Sequence, residues 1–403
     1  MDKDQVQDQE QNLRASWNQL CDSLKGSVDY IFDPGLGIGP SEQAEGLRHH
    51  LRMLYWAIDR AVENNDPDRP ELGWVYPSKI GQDNPDGLYM SAPVDLNRTY
   101  RLTGRIDALR YLGITLMDLR FGRGRIEQLL NVGTPDLIDV GDGRFDMIIS
   151  PDANPGDHPG NWYQVPPRQC RLFVRQFFSD WTTENHAELY LDCLDPSGPP
   201  TRLDPVVTAA RIEDLADEMS TVPKFWTDFA LAQRNSGQIN SFAHVPARQV
   251  DESGLGGSDQ QSYGQCWYEV GDDQALLFEV TPPNCLYWNI QVGDTWYQSL
   301  DYVNQPTTLN DSQAHIDPDG VLRVVISHRD PGIQNWIALG GCPQGAITYR
   351  WNNAESVPVP TLRLMDCSDI DACLHPDTPR LSADDRAALN AERRRHALRR
   401  FTR

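Results

Sequence analysis

The sequence lacks the features of several large protein classes. No apolar run among its 403 residues approaches the roughly 20 needed to cross a bilayer, and residues 1–14 are too polar and acidic for a secretory signal. Positive charge is scarce, because 36 Lys and Arg stand against 58 Asp and Glu, a formal charge of −22. Since such a chain repels phosphate groups, we expect neither nucleic acid nor a membrane surface as a partner.

The motifs of common redox, metal and catalytic sites are missing as well. The eight cysteines form no C-x-x-C pair, which favours reduced thiols and a cytoplasmic location. There is no G-x-S-x-G, H-x-H or H-E-x-x-H, and the glycines at 35–39 lack the spacing of a phosphate-binding loop. We therefore predict no metal and no organic cofactor. A transition-metal site assembled from His158, His315 and His328 stays open as an alternative.

Changes in residue pattern divide the chain into segments. Residues 1–71 show helical periodicity, and residues 72–204 show the short runs separated by Gly, Pro, Asn and Asp that are typical of β structure. Residues 205–250 predict a helical connector, broken near residues 220–223. Residues 251–380 return to strand patterns. The predicted fold class is α+β, mainly β.

The terminal segment 381–403 differs from the rest in charge. It predicts a helix with Ser382 as N-cap, and it carries seven arginines against three carboxylates, a net charge of +4. Residues 1–380 then carry −26. We expect this basic helix to dock on the acidic body of its own chain or of a second copy, which makes a homo-oligomer one possible assembly.

Two stretches of the sequence resemble each other. Each combines an Asp-Gly turn, a strand ending in Ser, a Pro- and Gly-containing turn, an Asn-Trp pair and an arginine on the next strand. The paired motifs are Asp142-Gly143 and Asp319-Gly320, Ser150 and Ser327, Asn161-Trp162 and Asn335-Trp336, and Arg175 and Arg350. The shared order predicts two similar β units, with Tyr100 and Tyr287 as a further equivalent pair.

Several motifs also resemble a known family. The chain is similar to long bacterial members of the family catalogued as domain of unknown function 1214, which often occurs beside domain of unknown function 1254. The resemblance rests on Gly81–Asp86, Gly160-Asn161-Trp162, Arg175–Phe178, Asp180-Trp181, Tyr287-Trp288, Trp296, Ser299–Tyr302, Leu309-Asn310, Asp319-Gly320, Asp330-Pro331-Gly332, Asn335-Trp336 and Arg350-Trp351. It implies jelly-roll-like β-sandwiches with attached helices. Some members are labelled hydrolases, without a shared catalytic motif.

Aromatic residues in and beside the predicted strands suggest an apolar pocket. Such a pocket binds small molecules when a few polar groups converge on it. The candidate substrate-binding residues are Asn161, Trp162, Arg175, Trp288, Trp296, Tyr302, Asn335, Trp336 and Arg350. A structural role for the two Asn-Trp pairs stays open, since an Asn side chain can hold a turn while the Trp closes the end of a sandwich.

Acid–base chemistry in such a pocket needs a carboxylate or a histidine. Asp301 lies between Leu300 and Tyr302, where apolar neighbours can perturb its pKa, and Asn310 and His328 are the next candidates. A Ser327–His328 nucleophile pair is disfavoured, because neighbouring strand residues face opposite sides. The sequence thus predicts a cytoplasmic bacterial hydrolase or lyase acting on a small apolar or aromatic metabolite. The alternatives are a non-catalytic ligand-binding or structural sandwich and a metal-dependent enzyme.

Overall fold

Two β-sandwiches placed against each other form the body of the protein. The computed structural model describes residues 3–75, 78–120, 125–198, 204–237, 239–242 and 260–401. The predicted junction between connector and second β unit, residues 243–259, lies outside the described residues. Within the described ranges the strands form four sheets, two in each sandwich. The prediction of a mainly β fold with duplicated sandwiches and attached helices is confirmed.

The first sandwich consists of an inner and an outer sheet. The first inner sheet has the strand order β1-β2-β8-β4-β5, and the first outer sheet has the order β7-β6-β3-β9. The strands are β1 Gly73–Trp74, β2 Gly87–Asp95, β3 Tyr100–Arg105, β4 Tyr111–Arg120, β5 Arg125–Gly133, β6 Arg144–Ser150, β7 Asn161–Gln164, β8 Gln169–Phe177 and β9 Glu188–Cys193.

The second sandwich repeats every strand of the first except β1. Its inner sheet has the order β10-β16-β12-β13, and its outer sheet has the order β15-β14-β11-β17. The strands are β10 Gln261–Glu269, β11 Gln274–Val280, β12 Tyr287–Val292, β13 Thr308–Asn310, β14 Leu322–Ser327, β15 Trp336–Ala338, β16 Gln344–Asn352 and β17 Thr361–Asp366. Because β2 to β9 correspond in order to β10 to β17, the sequence repeat reflects a duplicated unit.

The strand register corrects one pair in the repeat. Arg175 on β8 and Arg350 on β16 are equivalent. Strand β4 pairs with β8 beside Arg175, and strand β12 pairs with β16 beside Arg350. Tyr111 begins β4 and Tyr287 begins β12, so Tyr287 matches Tyr111. The predicted match of Tyr287 to Tyr100 is wrong, because Tyr100 begins β3 in the outer sheet.

Each sandwich has its own apolar core between its two sheets. On β8, Leu172 and Val174 enter the first core, while Phe173 and Arg175 point to the opposite face. The same alternation on β16 sends Tyr349 and its neighbours Ile347 and Trp351 into the second core. The opposite faces of the two inner sheets meet each other, as shown by the stacking of Phe177 on Tyr287, with ring centroids 5.5 Å apart.

Three long helices pack beside the sandwiches. They are α1 Lys3–Gly26, α2 Pro40–Ile58 and α3 Pro205–Asn235, and α3 contacts both of the others. The predicted break near 220–223 is wrong, because α3 continues through Pro223. A proline removes one helical hydrogen bond, but Met219, Val222 and Trp226 are all buried on one face. Packing on both sides of Pro223 therefore keeps the helix continuous.

The basic terminal helix docks on its own chain. After the short helix α4 Ile370–Cys373, helix α5 spans Ala383–Arg399, and the predicted cap is confirmed: Ser382 Oγ accepts a hydrogen bond of 3.1 Å from the N–H of Asp385. Arg386 pairs with Asp330 at 2.8 Å. Among the described residues, no helix combines the length and apolar character needed to cross a membrane.

Candidate functional site

A cavity of about 160 Å³ lies where the two inner sheets and α3 meet. Its walls are mostly aromatic, and the polar groups among them include four ionisable side chains, Lys79, Asp83, Arg175 and Arg350. The aromatic lining residues are Trp56, Tyr89, Phe173, Phe177, Trp226, Phe229, Tyr263, Tyr297, Tyr302 and Phe401. We call this space the inner cavity. Its volume is close to that of a cavity of about 150 Å³ that accommodates benzene.

The aromatic walls come from two directions. On the first inner sheet, Tyr89 and Phe173 lie with ring centroids 5.7 Å apart. From the helical side, Trp226 on α3 stacks on Tyr297 at 5.9 Å, and Phe229 meets Tyr297 edge-on at 5.2 Å. Because Trp226 and Phe229 are three residues apart, they share one face of the helix. A flat apolar molecule can therefore contact rings on both sides.

The repeat places one arginine on each inner sheet beside this cavity. Both Arg175 and Arg350 are 6% exposed. Arg175 donates to Thr115 Oγ1 at 2.7 Å and lies 4.8 Å from the centroid of the Phe173 ring. Arg350 donates to the backbone oxygen of Gln82 at 3.0 Å and to the side-chain oxygen of Gln291. Two buried cations thus face the same space.

Tyr89 lies within electrostatic reach of both arginines. Burial raises the pKa of its hydroxyl to about 12, and the positive charges of Arg350 and Arg175 each oppose that rise. The N–H of Asn84 donates to the same hydroxyl at 3.0 Å. Tyr89 is therefore a neutral hydrogen-bonding group at neutral pH.

Residues 78–86 lie between β1 and β2 and contact the second sandwich through hydrogen bonds. We call them the bridging segment. Its Gln82 donates to the backbone oxygen of Ala346 at 3.1 Å and accepts from the hydroxyl of Thr348. Its Asn84 accepts from Asn289 at 2.6 Å. A segment between β1 and β2 of the first sandwich is thus held by the second inner sheet, and it supplies Lys79 and Asp83 to the inner cavity.

Asp86 ends the bridging segment and is fully buried. Its Oδ1 accepts from Trp181 Nε1 at 2.7 Å and from Asn310 Nδ2 at 2.9 Å. Its Oδ2 accepts from Tyr287 at 2.6 Å and from Asn289 Nδ2 at 3.1 Å. Four donors from both sandwiches therefore converge on one carboxyl group, which ties the two units together.

The basic terminal segment reaches the same place. Arg400 donates to the backbone oxygen of Pro85 at 2.8 Å, and its guanidinium lies 4.1 Å from the centroid of the Trp181 ring. Arg393 approaches the same ring at 4.5 Å and donates to the backbone oxygen of Tyr302 at 2.9 Å. Burial lowers the pKa of Arg393 to about 10 and also lowers that of Arg400, while the charge of Asp86 opposes both shifts.

A second, more polar space of about 630 Å³ adjoins the inner cavity. We call it the outer groove. Lys79 and Tyr302 line both spaces. The Lys79 ammonium donates to the backbone oxygens of Ser299 at 2.6 Å and Leu300 at 2.9 Å, and burial lowers its pKa. Together the two spaces form an apolar chamber beside a polar groove.

Asp294 is the most perturbed carboxyl group of the outer groove. Burial, followed by the nearby charge of Glu45, raises its pKa to about 7. Its Oδ1 accepts from the N–H of Trp296 at 2.9 Å and of Gln298 at 3.1 Å, and its Oδ2 accepts from Gln298 Nε2 at 2.9 Å. A carboxyl group with this pKa can both take up and release a proton near neutral pH.

The three residues expected to act in acid–base chemistry do not meet. Asp301 lies on the outer groove, exposed, and holds a turn through Asn304 Nδ2 at 2.7 Å. Asn310 is fully buried, and its Nδ2 donates hydrogen bonds to Asp86 Oδ1 and to the backbone oxygen of Ser179, both at 2.9 Å. His328, at the end of β14, bonds the backbone oxygen of Val270 at 3.1 Å. None of them lines the inner cavity.

The two Asn-Trp pairs lie in the outer sheets, away from the inner cavity. Asn161 Oδ1 accepts from the N–H of Ile138 at 2.9 Å, and Asn335 Oδ1 accepts from the N–H of His315 at 2.8 Å, so each Asn holds the loop that leads into the neighbouring strand, β6 or β14. Trp162 Nε1 donates to the backbone oxygen of Asp152 at 3.0 Å. Trp336 Nε1 donates to Ser327 Oγ at 3.0 Å. These contacts hold loops and strand ends of the outer sheets.

The remaining residues predicted to bind a ligand lie partly in the apolar core and partly on the inner cavity or the outer groove. Trp288 belongs to the second core, where its ring meets Trp351 edge-on at 6.1 Å. Trp296 is buried against helical residues, with its Nε1 bonded to the backbone oxygen of Glu42 at 2.8 Å, and borders the outer groove. Arg175, Arg350 and Tyr302 line the inner cavity.

Sequence reasoning missed several groups at the site. Tyr89 and Phe173 are strand residues that face away from their own core, and Trp226 and Phe229 looked like ordinary residues of an amphipathic helix. Asp294 belongs to none of the sequence motifs that were considered, so nothing in the sequence singled it out. One signal was available, since Gly81–Asp86 belongs to the family resemblance and forms most of the bridging segment. In the described part of the chain, no group of three or more His, Cys, Asp or Glu is arranged to hold a metal ion.

Comparisons with known proteins show a similarity to one family, of unknown function, and to solved structures. An uncharacterized protein from Burkholderia cenocepacia is similar in structure, with a TM-score of 0.83, 29% identity, and coverage of 89% of this chain and 99% of that one. The VPA0106 protein from Vibrio parahaemolyticus gives a TM-score of 0.48 at 13% identity, over 84% of this chain and 100% of that one. A search of curated proteins gives no match.

The family model described as "Protein of unknown function (DUF1214)" matches residues 89–179 and 257–354. The first region covers most of the first sandwich and contains Arg175, and the second covers β10 to β16 and contains Arg350. The matched regions thus follow the duplication of the fold. In these two regions the chain is similar to the DUF1214 family.

Proposed function

We propose that this protein binds a small aromatic metabolite in the inner cavity. The observation that carries the proposal is the composition of the cavity walls, where ten aromatic side chains surround a space of about 160 Å³. Binding sites for small molecules are typically apolar, with a few convergent polar groups. Because the volume is close to the roughly 150 Å³ that accommodates benzene, a compound with a single ring fits best.

Ligand-dependent stabilisation tests this proposal. Benzyl alcohol and other soluble single-ring compounds should raise the thermal midpoint, since a ligand stabilises the folded state in proportion to ln(1 + [L]/Kd). Phe173→Ala should weaken binding several-fold, because aromatic contacts contribute about 0.5–1.5 kcal/mol beyond area burial. Tyr190→Ala, an exposed aromatic on β9, is the matched control and should bind like wild type. No shift with any single-ring compound would contradict the proposal.

A second candidate function is hydrolysis or lyase-type cleavage of the bound molecule. Asp294 favours it, because a carboxyl group with a pKa of about 7 lies on the outer groove together with Lys79, which also lines the inner cavity. In this proposal the aromatic part of the substrate occupies the inner cavity. The bond to be cleaved extends toward Asp294. In hydrolysis Asp294 takes a proton from the attacking water, whose oxygen forms the new bond to the substrate, and gives that proton to the leaving group as the old bond breaks.

Turnover of small aryl esters such as 4-nitrophenyl acetate tests the catalytic candidate. Asp294→Asn should lower the rate by about 100-fold or more, in line with the usual contribution of a positioned acid or base. Asp273→Asn, an exposed carboxylate in the turn before β11, is the control and should keep the wild-type rate. Equal rates for wild type, Asp294→Asn and uncatalysed hydrolysis would remove the catalytic candidate and leave the binding proposal intact.

A cytoplasmic location belongs to the same proposal. All eight cysteines are free thiols, which suits a reducing compartment. Burial raises the pKa of several of them, including Cys266 and Cys170. These thiols are therefore protonated and unreactive at neutral pH.

A further inference from the structure

The duplication gives the inner cavity a matched pair of cations. Arg175 pairs with Tyr89 across β8 and β2, and Arg350 pairs with Tyr263 across β16 and β10, at equivalent places in the register. All four residues line the inner cavity. The hydroxyl of Tyr89 is affected by the charges of both arginines, so the two guanidinium groups act on a common space.

The surroundings of Arg350 leave its positive charge without a contacting carboxylate. Its hydrogen bonds go to neutral oxygens, namely the backbone oxygen of Gln82 at 3.0 Å and the side-chain oxygens of Gln291 and Asn289. Its guanidinium also lies 5.7 Å from the centroid of the Tyr263 ring. Among the described residues, the hydrogen-bond acceptors found for this guanidinium are all neutral oxygens. A buried charge of this kind favours a bound counter-charge.

The ionisable groups around the cavity add up to a positive site in an acidic protein. Lys79, Arg175 and Arg350 are cations, and Asp83 is the single Asp or Glu among the described lining residues. The carboxylate of Asp83 accepts from the N–H of Ser299 at 3.2 Å, and Lys79 is bonded to backbone oxygens. The whole chain carries −22, so this local excess of positive charge opposes the general trend.

We propose that the ligand of the inner cavity is a single-ring aromatic carboxylate. This inference rests on the proposed binding function and specifies its ligand class. The ring lies between Tyr89 and Phe173 on one side and Trp226 and Tyr297 on the other. The carboxylate lies toward Arg350 and Arg175, because a guanidinium group matches the planar geometry of a carboxylate with two parallel N–H donors.

Comparing the affinities of benzoate and its neutral isostere benzamide separates the contribution of the ligand's negative charge from that of its ring. Calorimetry at pH 7 and low salt should show wild type binding benzoate about tenfold or more tightly than benzamide, as expected for hydrogen bonds to a charged group. Arg350→Met should abolish that preference while changing benzamide affinity by less than about threefold, and Arg350→Lys should restore part of it. Arg363→Met, an exposed arginine on β17, is the control and should keep the preference.

The outcomes distinguish this inference from the proposed function. If benzamide and benzyl alcohol bind but benzoate binds no more tightly, the carboxylate assignment is wrong and the aromatic site stands. If no single-ring compound binds, both proposals fail. Should Arg350→Met not fold, Arg175→Met and the ratio of benzoate to benzamide affinity in wild type give the same decision.

Discussion

Replacing Asp86 by Asn should destabilise the protein more than replacing Asp294, Asp301 or Asp273 by Asn. Asp86 is fully buried and accepts four hydrogen bonds, from Trp181, Asn310, Tyr287 and Asn289. The change keeps the shape of the side chain. It converts one acceptor oxygen into an NH₂ donor and removes the negative charge.

The size of the effect follows from the four contacts. An Asn can orient its oxygen toward only one donor pair, so the other two donors face an NH₂ group and lose their partner. Hydrogen bonds to a charged group contribute about 1.5–3 kcal/mol each. The nearby buried cations Arg393 and Arg400 also lose their compensating charge. We expect a loss of about 3–5 kcal/mol in the free energy of unfolding, the usual range when one member of a buried ionic network is removed.

Urea unfolding at pH 7, followed by tryptophan fluorescence and circular dichroism, measures this loss by linear extrapolation. Asp301→Asn is the matched control. Because Asp301 is exposed and holds only a local turn, that variant should stay within about 0.5 kcal/mol of wild type. Tyr287→Phe removes a single donor and should fall between the two. A loss below about 1 kcal/mol for Asp86→Asn would show that this carboxyl group does not tie the sandwiches together.

Three further predictions address pH, the terminal helix and the Asn-Trp pairs. The pKa of Asp294 is about 7 in the folded chain against an ordinary 3.8, so the folded state holds a proton that the unfolded state releases between about pH 4 and 7. The free energy of unfolding should therefore fall as pH rises through that interval, and urea midpoints should change less with pH in Asp294→Asn; equal slopes would contradict the assignment. Deleting residues 383–403 should lower the thermal midpoint by several degrees, because the helix contacts both sandwiches, whereas an unchanged midpoint and unchanged mass in solution would refute a docking role. Asn335→Ala should cost about 2–3 kcal/mol in urea unfolding, because three hydrogen bonds at a buried turn are lost, and should leave benzamide affinity unchanged; weakened binding would place this Asn at the site after all.

Local signals in the sequence were sufficient for much of the fold. The strand that ends at Ser150 and the N-cap at Ser382 were predicted at the observed positions, because each depends on a few neighbouring residues. The repeat of Asp-Gly, Asn-Trp and Arg motifs indicated the duplication, which in turn placed Arg175 and Arg350 on equivalent strands. Pro223 shows the limit of such rules, since packing around α3 overrides the local tendency to break the helix.

The site was harder to predict because its contacts join distant parts of the chain. Asn84 and Tyr287 are 203 positions apart, and no local pattern links them. Asp301 illustrates a different difficulty. Its apolar neighbours Leu300 and Tyr302 are buried and suggested a buried carboxyl group, but the chain turns there and leaves Asp301 in solvent. An apolar neighbour in sequence is therefore weak evidence for an apolar environment in space.

The path of the bridging segment has a consequence for the order of folding. Residues 78–86 follow β1 and are synthesised before every other strand of the two sandwiches. The four hydrogen-bond donors to Asp86, namely Trp181, Tyr287, Asn289 and Asn310, are all synthesised later. The backbone oxygen of Pro85 accepts its hydrogen bond from Arg400, which lies 315 positions further along the chain. Because domains fold from the N-terminal side during synthesis, the first sandwich can complete its core while the site beside it is still open. The inner cavity is thus among the last parts of the molecule to form. In any nascent or truncated chain that lacks the terminal segment, the bridging segment is without its hydrogen bond to Arg400.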